Sequence, residues 1–321
     1  MKSQNAVKIP DAHNLASAAI GVGDIGARLM LVILCLIWGV TWPVMKIALD
    51  EVPPLSMRAS TAGIGAVTLL AICTVKRRSL RIPNAKTWAH VFVAALLNIV
   101  SFSVLSAFAQ MATETSRVAI LTYTMPIWAV LLAWPVLGER PTRVQAIAVV
   151  SCTVGLVILI SPLAAAGLPL GALLAVGAGL AWAAGTVYLK WARINADPIG
   201  VTSWQLTISF FAIAACMLVF EGGPHFGDAH ADGLFALMFS GMFGTAIAYA
   251  MWFDIVPRVP AATASLGVLG APVVGVVATV LIIGDRLTAP DIIGFALIFA
   301  ASACAVLGSA SPRLVLRRPT A

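Results

Sequence analysis

Ten long apolar runs, each closed by a short polar segment, set the plan of this chain. They cover roughly residues 29–49, 55–75, 88–109, 117–137, 144–161, 171–190, 200–220, 233–253, 262–283 and 291–308. A helix needs about 20 apolar residues to cross the hydrocarbon core of a bilayer, and these runs come close to it, the fifth and tenth being the shortest. The pattern predicts an all-α integral membrane protein with ten transmembrane helices. The connections are short. One of the two longest, Glu221 to Asp232, reads EGGPHFGDAHAD and is a solvated loop of turn-forming residues.

The runs repeat. Pro126 is followed twelve residues later by Gly138-Glu139-Arg140, and Pro272 twelve residues later by Gly284-Asp285-Arg286. The offset is 146 for both (272 − 126 and 284 − 138). In the first and sixth runs Trp38 and Lys46 match Trp182 and Lys190 at an offset of 144, as Pro54 matches Pro198. Five crossings per copy is an odd number, so the second copy must lie upside down relative to the first. Such an inverted repeat places a functional site near the bilayer midplane between the halves. The chain then divides into a tail (1–28), a first repeat (29–161), a second repeat (171–308) and a basic tail (309–321).

Composition agrees with the pattern. The chain has 321 residues, of which 60% are hydrophobic and 10% charged, against about a quarter charged in soluble domains. The net charge of +7 does not mark a nucleic-acid binder, because the basic residues are scattered through short loops. With the N-terminus in the cytoplasm, only Lys46, Arg58, Arg117 and Arg286 fall outside, a split of 16 to 4 among the 20 basic residues. The positive-inside rule favours that orientation, with both termini cytoplasmic. No separate signal peptide is visible, and the first run reads as a retained helix. Cys35, Cys73, Cys152, Cys216 and Cys304 all lie within apolar runs and read as free thiols packed as small apolar residues.

The first-helix Trp38 and Pro43, the stretch GMFGTAIAYAMWF (Gly241–Phe253), and the Pro-then-LGER and Pro-then-GDRL helices together resemble the EamA family of the drug/metabolite transporter superfamily. The resemblance covers about residues 29 to 308. It implies two EamA-type halves, alternating access, and a central cavity lined by helices 1–4 and 6–9 with helices 5 and 10 peripheral. It also implies export of amino acids or related small metabolites through the inner membrane.

The residues themselves nominate a cavity. Trp38 and Trp42 share a helix face four residues apart. Trp38 falls near mid-membrane, whereas tryptophan favours the headgroup level; the pair is either a cavity wall or a gap filler between helices. Trp182, with Thr186 on its face, is the repeat-related candidate. A proline inside a helix frees the carbonyl four residues earlier, so Pro126 is expected to expose the carbonyl of Thr122 beside Tyr123. Ser265 and Pro272 repeat this arrangement. Thr245 and Tyr249 lie on one stripe of the eighth helix. Asn98 and Gln205 are the most polar uncharged groups in the spans, and buried amides there usually bond across helices. Arg58 is the clear cation within a run. At about 6 Å from its helix start, with Asp50 and Glu51 nearby, it reads as a headgroup contact or an external salt-bridge gate, the former being favoured. Glu139 and Asp285 are expected to cap helix ends or pair across loops.

These residues leave the cavity without an expected central charge and point to neutral or zwitterionic substrates carried without an obligatory proton gradient. A sugar-phosphate or nucleotide-sugar antiporter would call for deep lysines or arginines, and a membrane-embedded enzyme for clustered acids, histidines or a nucleophile. Neither pattern is visible. No catalytic, metal or cofactor motif appears. The expected partners are a small-molecule substrate and the bilayer, with no nucleic acid, and a homodimer is compatible with the sequence.

Overall fold

The computed structural model describes residues 12–165, 167–227, 229–255 and 268–309. Ten helical stretches follow one another: α1 (Ala12–Glu51), α2 (Pro54–Val75), α3 (Ala85–Ala112), α4 (Thr115–Leu137), α5 (Arg143–Ala165), α6 (Leu170–Ala192), α7 (Pro198–Phe220), α8 (Ala231–Ile255), α9 (Gly270–Ile282) and α10 (Ala289–Ser309). Eight of them are long and apolar enough to cross a membrane, and α9 and α10 contribute shorter apolar helices. There is no strand among the described residues. The fold is the expected pair of inverted five-helix repeats. Large apolar side chains such as Val67, Phe211 and Leu281 are exposed on the outside of the bundle, where lipid would meet them. α1 begins at Ala12, well before residue 29, so part of the predicted polar tail is helical.

The ends of the helices explain the repeated motifs. Gly138 and Gly284 adopt positive φ angles of 71° and 82°, the left-handed conformation that ends helices and that glycine adopts without penalty. Gly138 and Glu139 donate their amides back to Trp134 and Ala133 and close α4, while Ile283 and Gly284 both bond back to Thr279 and close α9. The next helices start on matching boxes. The Thr142 amide donates to Gln145 Oε1 (2.9 Å), as the Thr288 amide donates to Asp291 Oδ2 (2.8 Å). The first pair is reciprocal, the Gln145 amide donating back to Thr142 Oγ1, and both satisfy a free amide at a helix start. The two charged loop residues behave as expected. Asp285 accepts the Ser116 amide at 2.9 Å and Glu139 pairs with Lys190 at 2.7 Å.

The prolines act differently from the expectation. Pro126 does not kink a continuous helix. α4 is broken into Thr115–Thr122 and Met125–Leu137, and Pro126 sits in the first turn of the second piece, where its missing amide costs nothing. Pro272 lies in the first turn of α9 and is buried. A helix start therefore accommodates each proline.

Two other irregularities were not anticipated. Ala95–Ser101 in α3 and Ser240–Ile247 in α8 are π-helical. They occupy the same place in the two repeats. Ser101 Oγ donates to the Leu96 carbonyl (2.8 Å) and Thr245 Oγ1 to the Ser240 carbonyl (2.9 Å), each five residues back and both at the offset of 144. Such wide turns are concentrated at functional sites.

Glycines let the helices around these segments close up. A Cβ on Gly185 of α6 would lie 2.5 Å from Asn98 Cβ and 2.8 Å from its Cα, whereas one on Gly177 would meet only Leu105 Cδ1 at 3.6 Å. Gly185→Ala is therefore expected to push α6 away from the α3 π segment and to cost about 1–3 kcal/mol, the usual range for overpacking. Gly177→Ala should be neutral. Thermal unfolding of the two variants in detergent compares them directly, and equal midpoints would refute the close approach.

Candidate functional site

Between the halves lies a cavity of about 440 Å³, within the size range of small-molecule sites. Its walls come from α1–α4 and α6–α8, with Val268 just ahead of α9, and among the described residues α5 and α10 contribute nothing. The peripheral pair instead packs on itself, Gly155 of α5 facing Gly294 and Leu297 of α10.

The wall is aromatic. Trp182 stands between Phe102 (ring centroids 5.0 Å apart) and Tyr249 (6.4 Å, nearly parallel at 5°). Tyr249 also meets Trp38 edge-on at 6.4 Å, and Trp38 meets Trp252 at 6.1 Å. Trp42 extends the series against Phe102 at 6.5 Å. These separations are those of interacting aromatic pairs. Trp38, Trp182 and Tyr249 remain half-buried, with surface left for the cavity. The structure brings the tryptophan pair and Tyr249 together at the edge of this cavity. Phe102 is equally central, yet nothing distinguishes it from twelve other phenylalanines until Trp42 and Trp182 are placed on either side of it.

The polar candidates divide. Asn98 Nδ2 donates to the Trp182 carbonyl (3.1 Å) and to Thr186 Oγ1 (3.4 Å), so Asn98 ties α3 to α6 at the cavity edge. Thr122 and Tyr123 border the cavity, but the Thr122 hydroxyl donates to Val118 and Ala119 of its own helix at 2.9 Å each. The Thr122 carbonyl packs against Gly179, where a Cβ would come within 2.9 Å, so it is not offered to a substrate as expected. Thr245 lines the cavity with its hydroxyl committed to the π turn. Gln205 also lines it, and its Nε2 is buried without a partner. Pro126 and Pro272 are not on the wall, because each belongs to a helix start beside it. Ser265 lies outside the described residues.

Arg58 departs most from its sequence reading. It makes no salt bridge to Asp50 or Glu51, and it turns away from the membrane surface that a headgroup contact would need. Asp50 pairs with Lys46, and Glu51 accepts the His230 amide at 2.7 Å. Arg58 is 6% exposed, folds inward and borders the cavity. Its Nη2 donates to Ser106 Oγ and its Nη1 to Met45 Sδ, both at 2.9 Å. A long flexible stem let the charge travel inward from a shallow Cα position.

No disulfide joins the cysteines among the described residues, and Cys35, Cys73 and Cys152 are buried as expected, whereas Cys216 is exposed.

Inverted repeats, paired π segments and an aromatic cavity at their junction define a polytopic membrane protein of the transporter type. The EamA-like transporter family model matches residues 26–161 and again 169–307. The chain belongs to this family. It is 24% identical to the uncharacterized transporter YoaV of Bacillus subtilis over 267 residues, 82% of this chain and 90% of that one. A probable amino-acid metabolite efflux pump of Salmonella typhimurium is 21% identical over 282 residues, with 84% and 91% covered. A solved crystal structure has the same fold, with a TM-score of 0.61 at 22% identity over 88% of this chain and 98% of the other.

Proposed function

We propose that this protein exports small amphipathic metabolites, amino acids or close derivatives of them, across the cell inner membrane by alternating access. Both termini would lie in the cytoplasm, the orientation that the 16-to-4 charge split favours. The amino-acid class is carried over from the Salmonella typhimurium relative and suits a cavity that combines aromatic walls with polar side chains.

One asymmetry supports the mechanism. Lys190 and Glu139 join the ends of α6 and α4 at 2.7 Å. Their repeat-related counterparts are Lys46 (190 − 144) and Asp285 (285 − 146 gives 139). Those two are not paired with each other. Lys46 holds Asp50, Asp285 holds the Ser116 amide, and both residues border an open cleft between α1, α3, α4 and α9. Alternating access between inverted halves requires equivalent contacts to close in turn. The Lys190–Glu139 pair is then the closed member and Lys46–Asp285 the open one. Exposed pairs of this kind contribute little stability, about 0–1 kcal/mol, as a contact that must break each cycle should.

The test uses purified protein in liposomes, preloaded with an unlabelled amino-acid mixture and given labelled amino acids at equal pH on both sides. Counterflow is expected without an imposed gradient. Lys190→Cys with Glu139→Cys, joined by a cleavable thiosulfonate cross-linker, should stop it until the link is reduced. Lys46→Cys with Asp285→Cys should cross-link more slowly and stop it equally. Counterflow unaffected by both cross-links would refute alternating access at these ends.

A further inference from the structure

We propose that the Arg58 end of the cavity is a subsite for a carboxylate, so that the compounds carried are organic acids or amino acids with one free carboxylate held there. This rests on the transporter reading above and narrows it to a class of substrate.

Arg58 is a buried cation without a counter-ion. Among the described residues no carboxylate comes within ion-pair reach of it. Its two hydrogen bonds go to a hydroxyl and to a thioether sulfur, a weak acceptor. Its Nε is buried and has no partner among the described residues. The acids close to it in sequence and on the loop that caps its helix are all engaged elsewhere. Glu221 spends both oxygens on the amides of Leu55 and Ser56 at 2.8 Å, Asp50 holds Lys46, and Glu51 holds His230. Burying a charge without pairing it is costly, and such a residue inside a membrane bundle is functional by default.

A second unsatisfied group lines the same cavity. Ser240 Oγ is buried without a partner and lines the cavity. Its neighbour Gly241 packs against the Thr61 carbonyl and Ile64 of α2, one and nearly two turns along from Arg58. A guanidinium and a hydroxyl with free hydrogen-bonding capacity call for an acceptor, and the uncompensated charge calls for an anionic one. The number of charges selects the anion. One guanidinium neutralises one carboxylate and matches its two oxygens with its planar fork, whereas a phosphate dianion would bring a second, unmatched charge. The repeat locates the subsite at one end only. The counterpart of Arg58 at the offset of 144 is Thr202, which borders the cavity with its hydroxyl bonded to the Pro198 carbonyl at 2.9 Å. The halves share a backbone plan, and the cation breaks their symmetry. A bound acid would therefore be oriented, its carboxylate at Arg58 and its apolar body against Trp42, Phe102 and Trp182.

The test is binding to the full-length protein in detergent, followed by intrinsic tryptophan fluorescence. The probes are phenylacetate, its neutral isostere phenylacetamide, and chloride added to a sulfate buffer. The acid is expected to bind about ten- to a hundredfold tighter than the amide, the ratio for one charge-assisted contact, and chloride should neither mimic nor displace it. Arg58→Gln should abolish the preference. Arg58→Lys, which keeps the charge and guards against misfolding of the first variant, should retain part of it. Equal affinities, no binding of either compound, retention of the preference in Arg58→Gln, or displacement by millimolar chloride would each overturn the subsite. The transporter reading fails separately: acid preference with no counterflow of any compound removes it and leaves the subsite standing. Counterflow without acid preference does the reverse.

Discussion

Trp182→Ala is expected to cut transport about tenfold or more while leaving expression and membrane insertion near normal. The ring is half-buried and contacts Phe102 on one side and Tyr249 on the other. Removing it deletes the middle of the aromatic wall without breaking the link between α3 and α6, because Asn98 bonds the Trp182 carbonyl and not its side chain. A substrate face that loses an aromatic partner forfeits about 1.5–3 kcal/mol, or roughly ten- to a hundredfold in affinity. Trp38→Ala should act in the same direction through its contacts with Tyr249 and Trp252. Trp134, which is 55% exposed on the outside of the bundle, supplies the control, and Trp134→Ala should transport normally. Counterflow at the wild-type rate in both Trp38→Ala and Trp182→Ala would mean that the rings only fill space between helices.

The helices and the aromatic wall were legible because both depend on periodic, local information. Apolar runs of spanning length announce helices whatever their neighbours, and the paired Trp38 and Trp182 announce symmetry. The Gly138 and Gly284 motifs were visible too, since only a residue content at positive φ ends these helices so abruptly. What remained hidden depends on direction. The sequence places the Arg58 Cα near a helix end but does not say that the side chain turns toward Ser106 and Met45. It places Pro126 in an apolar run but does not separate a kinked helix from a broken one, and the break moved the Thr122 carbonyl onto Gly179. The π segments carry a faint signal in hindsight, in the hydroxyls of Ser101 and Thr245 at matching positions. A wide turn has no residue signature of its own, however, and these two gave no reason to expect one.

Asp291→Ala is expected to be the most destabilising single change outside the cavity, and its repeat-related partner supplies the scale. Asp291 and Gln145 close equivalent boxes at the starts of α10 and α5. Gln145→Ala should therefore cost about what loss of a helix cap costs, roughly 0.5–2 kcal/mol. Asp291 does more. Its oxygens also receive Arg117 Nε at 2.6 Å and Nη2 at 3.1 Å, a two-pronged ion pair that ties the start of α4 to the start of α10. The side chains are 12% and 2% exposed for Arg117 and Asp291, so solvent screens the pair weakly. Removing one member of a buried pair costs about 3–5 kcal/mol, mostly through the charge left behind. Arg117 keeps a second partner in Glu114, which places the expected loss for Asp291→Ala near 3 kcal/mol. Asp291→Asn, which keeps an acceptor for Thr288 but not the charge, should fall between the two alanine variants. Thermal unfolding in one detergent ranks all three. If Asp291→Ala and Gln145→Ala unfold together, the Arg117 pair contributes nothing beyond the cap, and the tie between α4 and α10 must be sought in their apolar contacts instead.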